Sequence, residues 1–252
     1  MPARFNRVAL VAGLAALVLA SVAVGFVQHQ RQAYANEWLR KAHPATPPPF
    51  EIQAQPPDSN PTLLLLGDSR VAEWGLPQIP GWRVVNAGVP GLTSSELVLI
   101  TSKILSEVQP NFVIIQAGVN ELKILGVRSD LYEPLISLCQ SNLQTVAQLA
   151  AERGADVFVL PIWPTGSVPW QRSVVWSQRI PDAIQECNRR LTERLQKDFP
   201  RVRVLDVFRP AVSSDGSGTV VPPLEPRLRD TLHFTPEFYQ DLTQRLRAEL
   251  KR

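Results

Sequence analysis

Between Val8 and Val27 the chain runs VALVAGLAALVLASVAVGFV without one charged side chain. No other segment restricts the fold as much. About twenty residues, each rising ~1.5 Å, make ~30 Å of helix, the thickness of a bilayer's hydrocarbon core. Its apolar residues leave no polar face at helical period, which a surface helix of a soluble domain requires. Arg4 and Arg7 precede the run, and the next basic residue, Arg31, follows its end, with Arg40 and Lys41 farther on. That asymmetry favours an N-in orientation. A cleaved signal peptide with a small-residue site at Ser21-Val22-Ala23 competes with an anchor, but the run is longer than a usual signal core. Either reading puts the rest of the protein outside the cytoplasm, periplasmic or extracellular.

Three segments follow from composition: an anchor over residues 1–30, a linker over 31–61 and a folded domain over 62–252. QHQRQAYANEWLRKAH extends the helix by a few turns. PATPPPFEIQAQPPDSNP (Pro44 to Pro61) is too proline-rich for regular structure and reads as an extended spacer. The domain has roughly 190 residues, enough to bury about 70% of its unfolded surface. A net charge of +3 with scattered basic residues excludes a nucleic-acid surface. Cys139 and Cys187 lie in helical patterns without CxxC spacing or a nearby histidine, which excludes zinc and leaves buried thiols or a disulfide.

From Thr62 onward, short apolar runs alternate with helical patterns. Strands are expected at Thr62–Leu66, Arg83–Asn86, Phe112–Gln116, Val157–Pro161 and Val202–Val207. Thr93-Ser94-Ser95-Glu96 forms a capping box, followed by Leu97, Ile100, Ile104 and Val108 at helical spacing. Further helices are expected over Leu131–Arg153, Pro181–Lys197 and from Thr235-Pro236 to Leu250. Five β-α repeats with continuous apolar strands predict a three-layer α/β/α fold around a parallel five-stranded, flavodoxin-like sheet. Ligands of such sheets sit at the carboxyl ends of the strands.

Those ends gather a particular chemistry. Gly67-Asp68-Ser69 closes the first strand, NAGVPGLTSSE follows the second, and QAGVNEL follows the third. RDTLHFTPE precedes the last helix. A serine hydroxyl becomes a nucleophile when an adjacent base takes its proton and a third group orients that base. His29 flanks the apolar run and His43 lies at the linker, so His233 is the only imidazole of the domain. Asp230, three residues earlier, reaches the far ring nitrogen within one local turn. The Ser69 and Gly91 N–H groups and the Asn120 amide would supply oxyanion donors. Alone, Ser69 would read as a helix N-cap and Asn120 as a turn residue.

These residues resemble the four signature blocks of the SGNH or GDSL hydrolases, in family order. Gly67-Asp68-Ser69 matches the nucleophile block, VNAGVPGLTS the oxyanion glycine block with Gly91, Gly118-Val119-Asn120-Glu121 the Gly-x-Asn-Asp block, and Asp230-Thr231-Leu232-His233 the Asp-x-x-His block. The resemblance spans about Thr62 to Leu250. It implies a serine ester hydrolase with Ser69, His233 and Asp230 as triad, an oxyanion hole of Ser69, Gly91 and Asn120, and neither metal nor organic cofactor. Its substrate would be a small-molecule or glycan acyl ester. An O-acyltransferase acting on envelope or exported polysaccharide uses the same acyl-enzyme, and a non-catalytic envelope binding protein could keep the fold. Two positions depart from the family pattern. Glu121 stands where aspartate is usual, and Arg70 follows the nucleophile, where pairing with Glu73 or with an anionic substrate is expected. Trp163, Trp170 and Trp176 would line a substrate groove or pack as ordinary loop residues. The Gly/Ser/Pro-rich stretch 213–226 is expected to border the site.

Overall fold

Leu63 to Leu66 are all buried because their strand has a core on each side: Leu63 and Leu65 join one apolar cluster, Leu64 and Leu66 the other. With side chains alternating across a pleated strand, an unbroken apolar run is what two covered faces demand. The computed structural model, which describes residues 2–206 and 227–250, builds the sheet from β1 (Gln53–Ala54), β2 (Thr62–Gly67), β3 (Arg83–Gly88), β4 (Phe112–Gln116), β5 (Asp156–Val159) and β6 (Val202–Val204). Their spatial order is β1-β3-β2-β4-β5-β6. All neighbours from β3 to β6 are parallel, and β1 adds antiparallel to β3. The five parallel strands thus have the flavodoxin-like order, with the topological switch beside β2. Helices α3 (Ser94–Val108), α5 (Tyr132–Glu152) and α6 (Arg179–Asp198) cover one face. Helices α2 (Ser69–Trp74) and α7 (Pro236–Glu249) cover the other, and the short α4 (Val119–Leu122) follows β4.

The expected elements recur with small shifts at their ends, and the stretch 213–226 lies outside the described residues. The sixth strand is the addition. Gln53–Ala54 sits inside the stretch whose prolines argued against regular structure, and two residues between proline clusters suffice to pair with Val85 and Asn86. Such a short edge strand is where a sheet tolerates neighbouring prolines.

The first helix, α1, runs without a break from Pro2 to Ala42. None of its most apolar window is buried within the protein, and it is long and apolar enough to cross a membrane. Its last turns belong to the folded body. Ala35 and Ala42 are buried, and Trp38 and Leu39 pack on the larger core. The α3 N-terminus receives it: the Thr93 hydroxyl donates to the Lys41 carbonyl at 2.7 Å, while Thr93 and Glu96 close the expected capping box.

Cys139 and Cys187 are both buried and free. A hydrogen bond with Cys187 in which Cys139 keeps its proton, then burial, push the Cys139 thiol well above its ordinary range. The facing sides of α5 and α6 therefore each carry one thiol, Cys139 and Cys187, as small core residues and no disulfide.

Thr93→Ala removes a helix cap and the anchor for the α1 carbonyl together. Its unfolding free energy should drop by about 1–2 kcal/mol, with Thr93→Ser keeping most of it, as read from denaturant midpoints.

Candidate active site

β2 must end in glycine for the site to form. A Cβ on Gly67 would lie 1.9 Å from the Gln116 carbonyl oxygen of β4, so any side chain there would force the central strands apart. The chain then turns sharply into α2. Asp68 is the N-cap, its Oδ1 accepting from the Arg70 N–H at 2.9 Å. Capping therefore does not use Ser69, and Ser69 is the only residue from Leu63 to Val71 that is not buried.

Opposite Ser69 stands a tight hairpin. Leu228 and Phe234 form an antiparallel bridge, and the Arg229 N–H donates to the His233 carbonyl at 2.8 Å. The residues between them present Asp230 and His233 together. His233 Nε2 is 3.1 Å from Ser69 Oγ, and its Nδ1 is 2.9 Å from Asp230 Oδ2. Asp230 Oδ1 also accepts from the Leu232 and His233 N–H groups at 2.7 and 2.9 Å. Partial burial raises the Asp230 pKa, but these donors and the His233 ring outweigh it and hold the carboxyl at about 2. The carboxylate is charged and fixed.

The other two expected site residues meet each other. Gly91 has φ +71°, a left-handed conformation that glycine adopts without strain. Asn120 is buried, and its Nδ2 donates to the Leu92 carbonyl at 2.8 Å, next to Gly91. That uses one of the two amide protons. The same loop is tied to the β2 terminus by the Val89 N–H on the Gly67 carbonyl at 2.9 Å. Glu121, the longer carboxylate of the third block, turns inward and accepts from the Ser94 N–H at 3.1 Å. Burial pushes its pKa up to about 7, against hydrogen bonds from Ser94.

Arg70 does not pair with Glu73. It is fully buried, and its guanidinium donates to three backbone carbonyls: Leu232 at 2.9 Å, Trp163 at 2.8 Å and Pro164 at 3.2 Å. The fork of five N–H groups makes this possible, and its face lies 5.7 Å from the Phe234 ring centre. Arg70 thus ties the Ser69 corner both to the loop after β5 and to the hairpin one residue before His233. Glu73 instead takes Arg229 at 2.8 Å and lies 3.9 Å from His233 Nε2. A second tie runs from the Gly166 N–H to the Thr231 carbonyl at 2.8 Å.

Residues from α1, about fifty positions upstream, also reach the site. Lys41 Nζ donates to the Gly91 carbonyl, and the Trp38 ring lies under Lys123 Nζ at 3.6 Å from its centre. Burial lowers the Lys123 pKa to about 7, while the Asp68 carboxylate opposes that shift. The only sequence signal for this contact is Trp38 and Lys41 at i,i+3 in the last turn of α1, which ends at Ala42. Of the three loop tryptophans, Trp163 is buried against Phe234 and Phe238, Trp176 packs on the core, and Trp170 is exposed. A cleft of about 510 Å³ borders Glu73 and Arg229, though neither Ser69 nor His233 lines it. Among the described residues no group of three or more His, Cys, Asp or Glu could hold a metal ion.

A hydrogen-bonded Ser–His–Asp chain at the carboxyl edge of such a sheet has the geometry of serine hydrolases. The chain belongs to the GDSL-like lipase/acylhydrolase family, whose profile matches residues 65–240. Esterase TesA of Pseudomonas aeruginosa is 34% identical over 116 residues, which are 40% of this chain and 54% of that protein. The chain thus spans about half the length of this curated relative. Among solved structures, a GDSL-like lipase from Bacteroides thetaiotaomicron superposes with a TM-score of 0.59 at 18% identity, covering 88% of this chain and 97% of that one. The M. smegmatis aryl esterase superposes at 0.55 with 16% identity, covering 76% and 99% respectively. At these identities the structural likeness speaks for the fold.

Arg70→Lys keeps the charge but loses the fork. A displacement of the hairpin by about 1 Å should slow covalent labelling of Ser69 by a fluorophosphonate on the order of 100-fold, with circular dichroism unchanged. Glu121 predicts a pH dependence of stability. The folded state holds its proton up to about pH 7, whereas the model carboxyl value is 4.5, so stability falls as pH rises through that window and then levels. Glu121→Gln should flatten this slope in unfolding midpoints measured between those pH values. Asp230 has the opposite sign: its contribution is present above the ordinary carboxylate range and is lost as pH falls towards 2.

Proposed function

We propose that this protein is a serine ester hydrolase held at a membrane by α1, with its catalytic domain outside the cytoplasm. The observation that carries the chemistry is the continuous contact from Ser69 Oγ through His233 to Asp230, at 3.1 and 2.9 Å. In this reading His233 Nε2 takes the Ser69 proton as Oγ attacks the ester carbonyl carbon. Asp230 holds the ring by Nδ1 and stabilises the imidazolium that forms. The Ser69 and Gly91 N–H groups and the remaining Asn120 amide proton face the oxyanion. Collapse of the tetrahedral intermediate expels the alcohol, which receives its proton from His233. Water, deprotonated by the same ring, then attacks the acyl-enzyme, and the acid leaves with Ser69 restored. The esterase names of TesA and of the M. smegmatis enzyme agree with this chemistry.

The location rests on α1 and on the basic residues Arg4 and Arg7 before its apolar run. Because α1 continues into the domain, Gly91 is held near Lys41, about 21 Å along the helix from Val27. A substrate at or near the membrane surface suits that placement, such as an acyl ester on an envelope or extracellular molecule.

The test is an acyl-chain-length series of p-nitrophenyl esters with the full chain in detergent. Wild type should release acid and label with a fluorophosphonate, Ser69→Ala should do neither, and Asn120→Ala should lose ~100-fold or more in kcat. A folded wild type that neither labels nor hydrolyses any ester would reject the catalytic reading. Acylated glycan in place of free acid, when glycans are supplied, would redirect the assignment to acyl transfer.

A further inference from the structure

Outside α1, three large hydrophobic side chains stand exposed among the described residues: Leu99, Trp170 and Val174. Two of the three share one short 3-10 helix, Trp170–Val175, where Trp170 is 79% and Val174 38% exposed. Two exposed apolar side chains on one short helix form a patch, which carries more information than a single exposed residue. This helix is also pinned to α1: the Arg31 guanidinium donates to the Val174 carbonyl at 2.7 Å. The same end of it is packed against Gly126, where a Cβ would lie 1.9 Å from the Val175 carbonyl oxygen.

The place of that pin is what gives it meaning. Arg31 follows Val27, the end of the uncharged run, by four residues, or about 6 Å of helix. The Val174 carbonyl is therefore held within one side-chain length of Arg31, about 6 Å of helix beyond the end of the apolar segment. Tryptophan concentrates at that level of a bilayer because its ring is apolar and its N–H is polar. The local charge agrees. From Val157 to Pro181 the chain has no Asp or Glu, but it contains Arg172 and Arg179. With Arg31 these cations suit an anionic headgroup layer. The nearest acidic residue of α1, Glu37, lies farther from the apolar run.

We propose that the Trp170–Val175 helix is a second membrane contact, a foot by which the catalytic domain rests on the lipid surface beside α1. The proposal rests on reading α1 as a membrane span. With two contacts the domain no longer rotates freely about a single helix. Through Lys41 and Gly91, α1 then fixes the height and direction of the Ser69 site above the bilayer.

The experiment uses the full chain in vesicles of phosphatidylcholine and phosphatidylglycerol. An environment-sensitive fluorophore is attached in separate variants at Trp170→Cys, at Val18→Cys within the apolar run, and at exposed Ser59→Cys before β2. Cys139 and Cys187 are buried, which leaves the introduced thiol as the accessible one. Lipids with spin labels at shallow or deep acyl positions act as quenchers. The label at 18 should be quenched by the deep lipids. The label at 170 should be blue-shifted and quenched by the shallow ones, and the label at 59 should respond to neither. If 18 is quenched while 170 behaves like 59, the span stands and the foot is rejected. If 18 escapes quenching, the span fails and the proposal fails with it. Trp170→Ala should keep its turnover of a soluble short-chain ester in detergent; a loss of turnover there would assign the ring to substrate and overturn the membrane role.

Discussion

The buried guanidinium of Arg70 is the interaction on which the site depends. Ser69 sits at the end of the first parallel strand, whereas Asp230 and His233 sit on a hairpin more than 160 residues later. Packing alone sets such separate loops to within the slack of their side chains. Arg70 removes that slack by donating at once to the carbonyls of Leu232, Trp163 and Pro164. Leu232 and Trp163 are buried in irregular backbone, where a carbonyl left without a donor costs about as much as a lost hydrogen bond. The same cation therefore donates to the loops and holds the His233 hairpin against the Ser69 corner. Its charge is tolerated because each of its three side-chain nitrogens donates to a carbonyl and Asp68 lies close by.

The sheet supplies the second constraint. Gly67 pairs with both Gly88 of β3 and Gln116 of β4, so the Ser69 corner emerges at the centre of the sheet, where the strand order reverses. Loops on either side of that point converge without having to cross one another. The Gly91 loop comes from one side and Asn120 from the other, and the Asn120 amide joins them at the Leu92 carbonyl. Glu121 is accommodated in the same way. Its extra methylene reaches the Ser94 N–H at the start of α3, so the carboxylate braces the loop and leaves Asn120 in place.

Helix α1 joins a span-length apolar segment to this arrangement without a hinge. A flexible spacer would have separated the domain's orientation from the helix. Instead, Trp38, Leu39 and Ala42 pack on the domain, and the Lys41 carbonyl and ammonium hold Thr93 and Gly91. The proline-rich stretch comes after this docking and leads back to the sheet edge at Gln53–Ala54. It connects two docked elements, and so its length does not set the distance between the helix and the site.

Local chemistry was enough to read much of this from the residues in order. The uncharged run, the unbroken apolar leucine strand, the Thr93–Glu96 box and the spacing of Asp230 and His233 each depend on neighbours within a few positions. Their physical meaning survives without a third dimension. Arg70, Lys41, Trp38 and Trp170 are different, because each takes its meaning from a partner far away in sequence. Next to Glu73 on the same helical turn, Arg70 looked like half of a surface ion pair. Only folding showed that its side chain points inward, where three carbonyls need donors and Glu73 cannot follow. Trp163 and Trp170 follow the same strand, yet Trp163 packs against Phe234 and Phe238 of the α7 side while Trp170 stays open. Sequence determined which elements form and which reactive groups reach the strand ends. Tertiary structure decided which charges are buried, since burial depends on what the rest of the chain brings alongside.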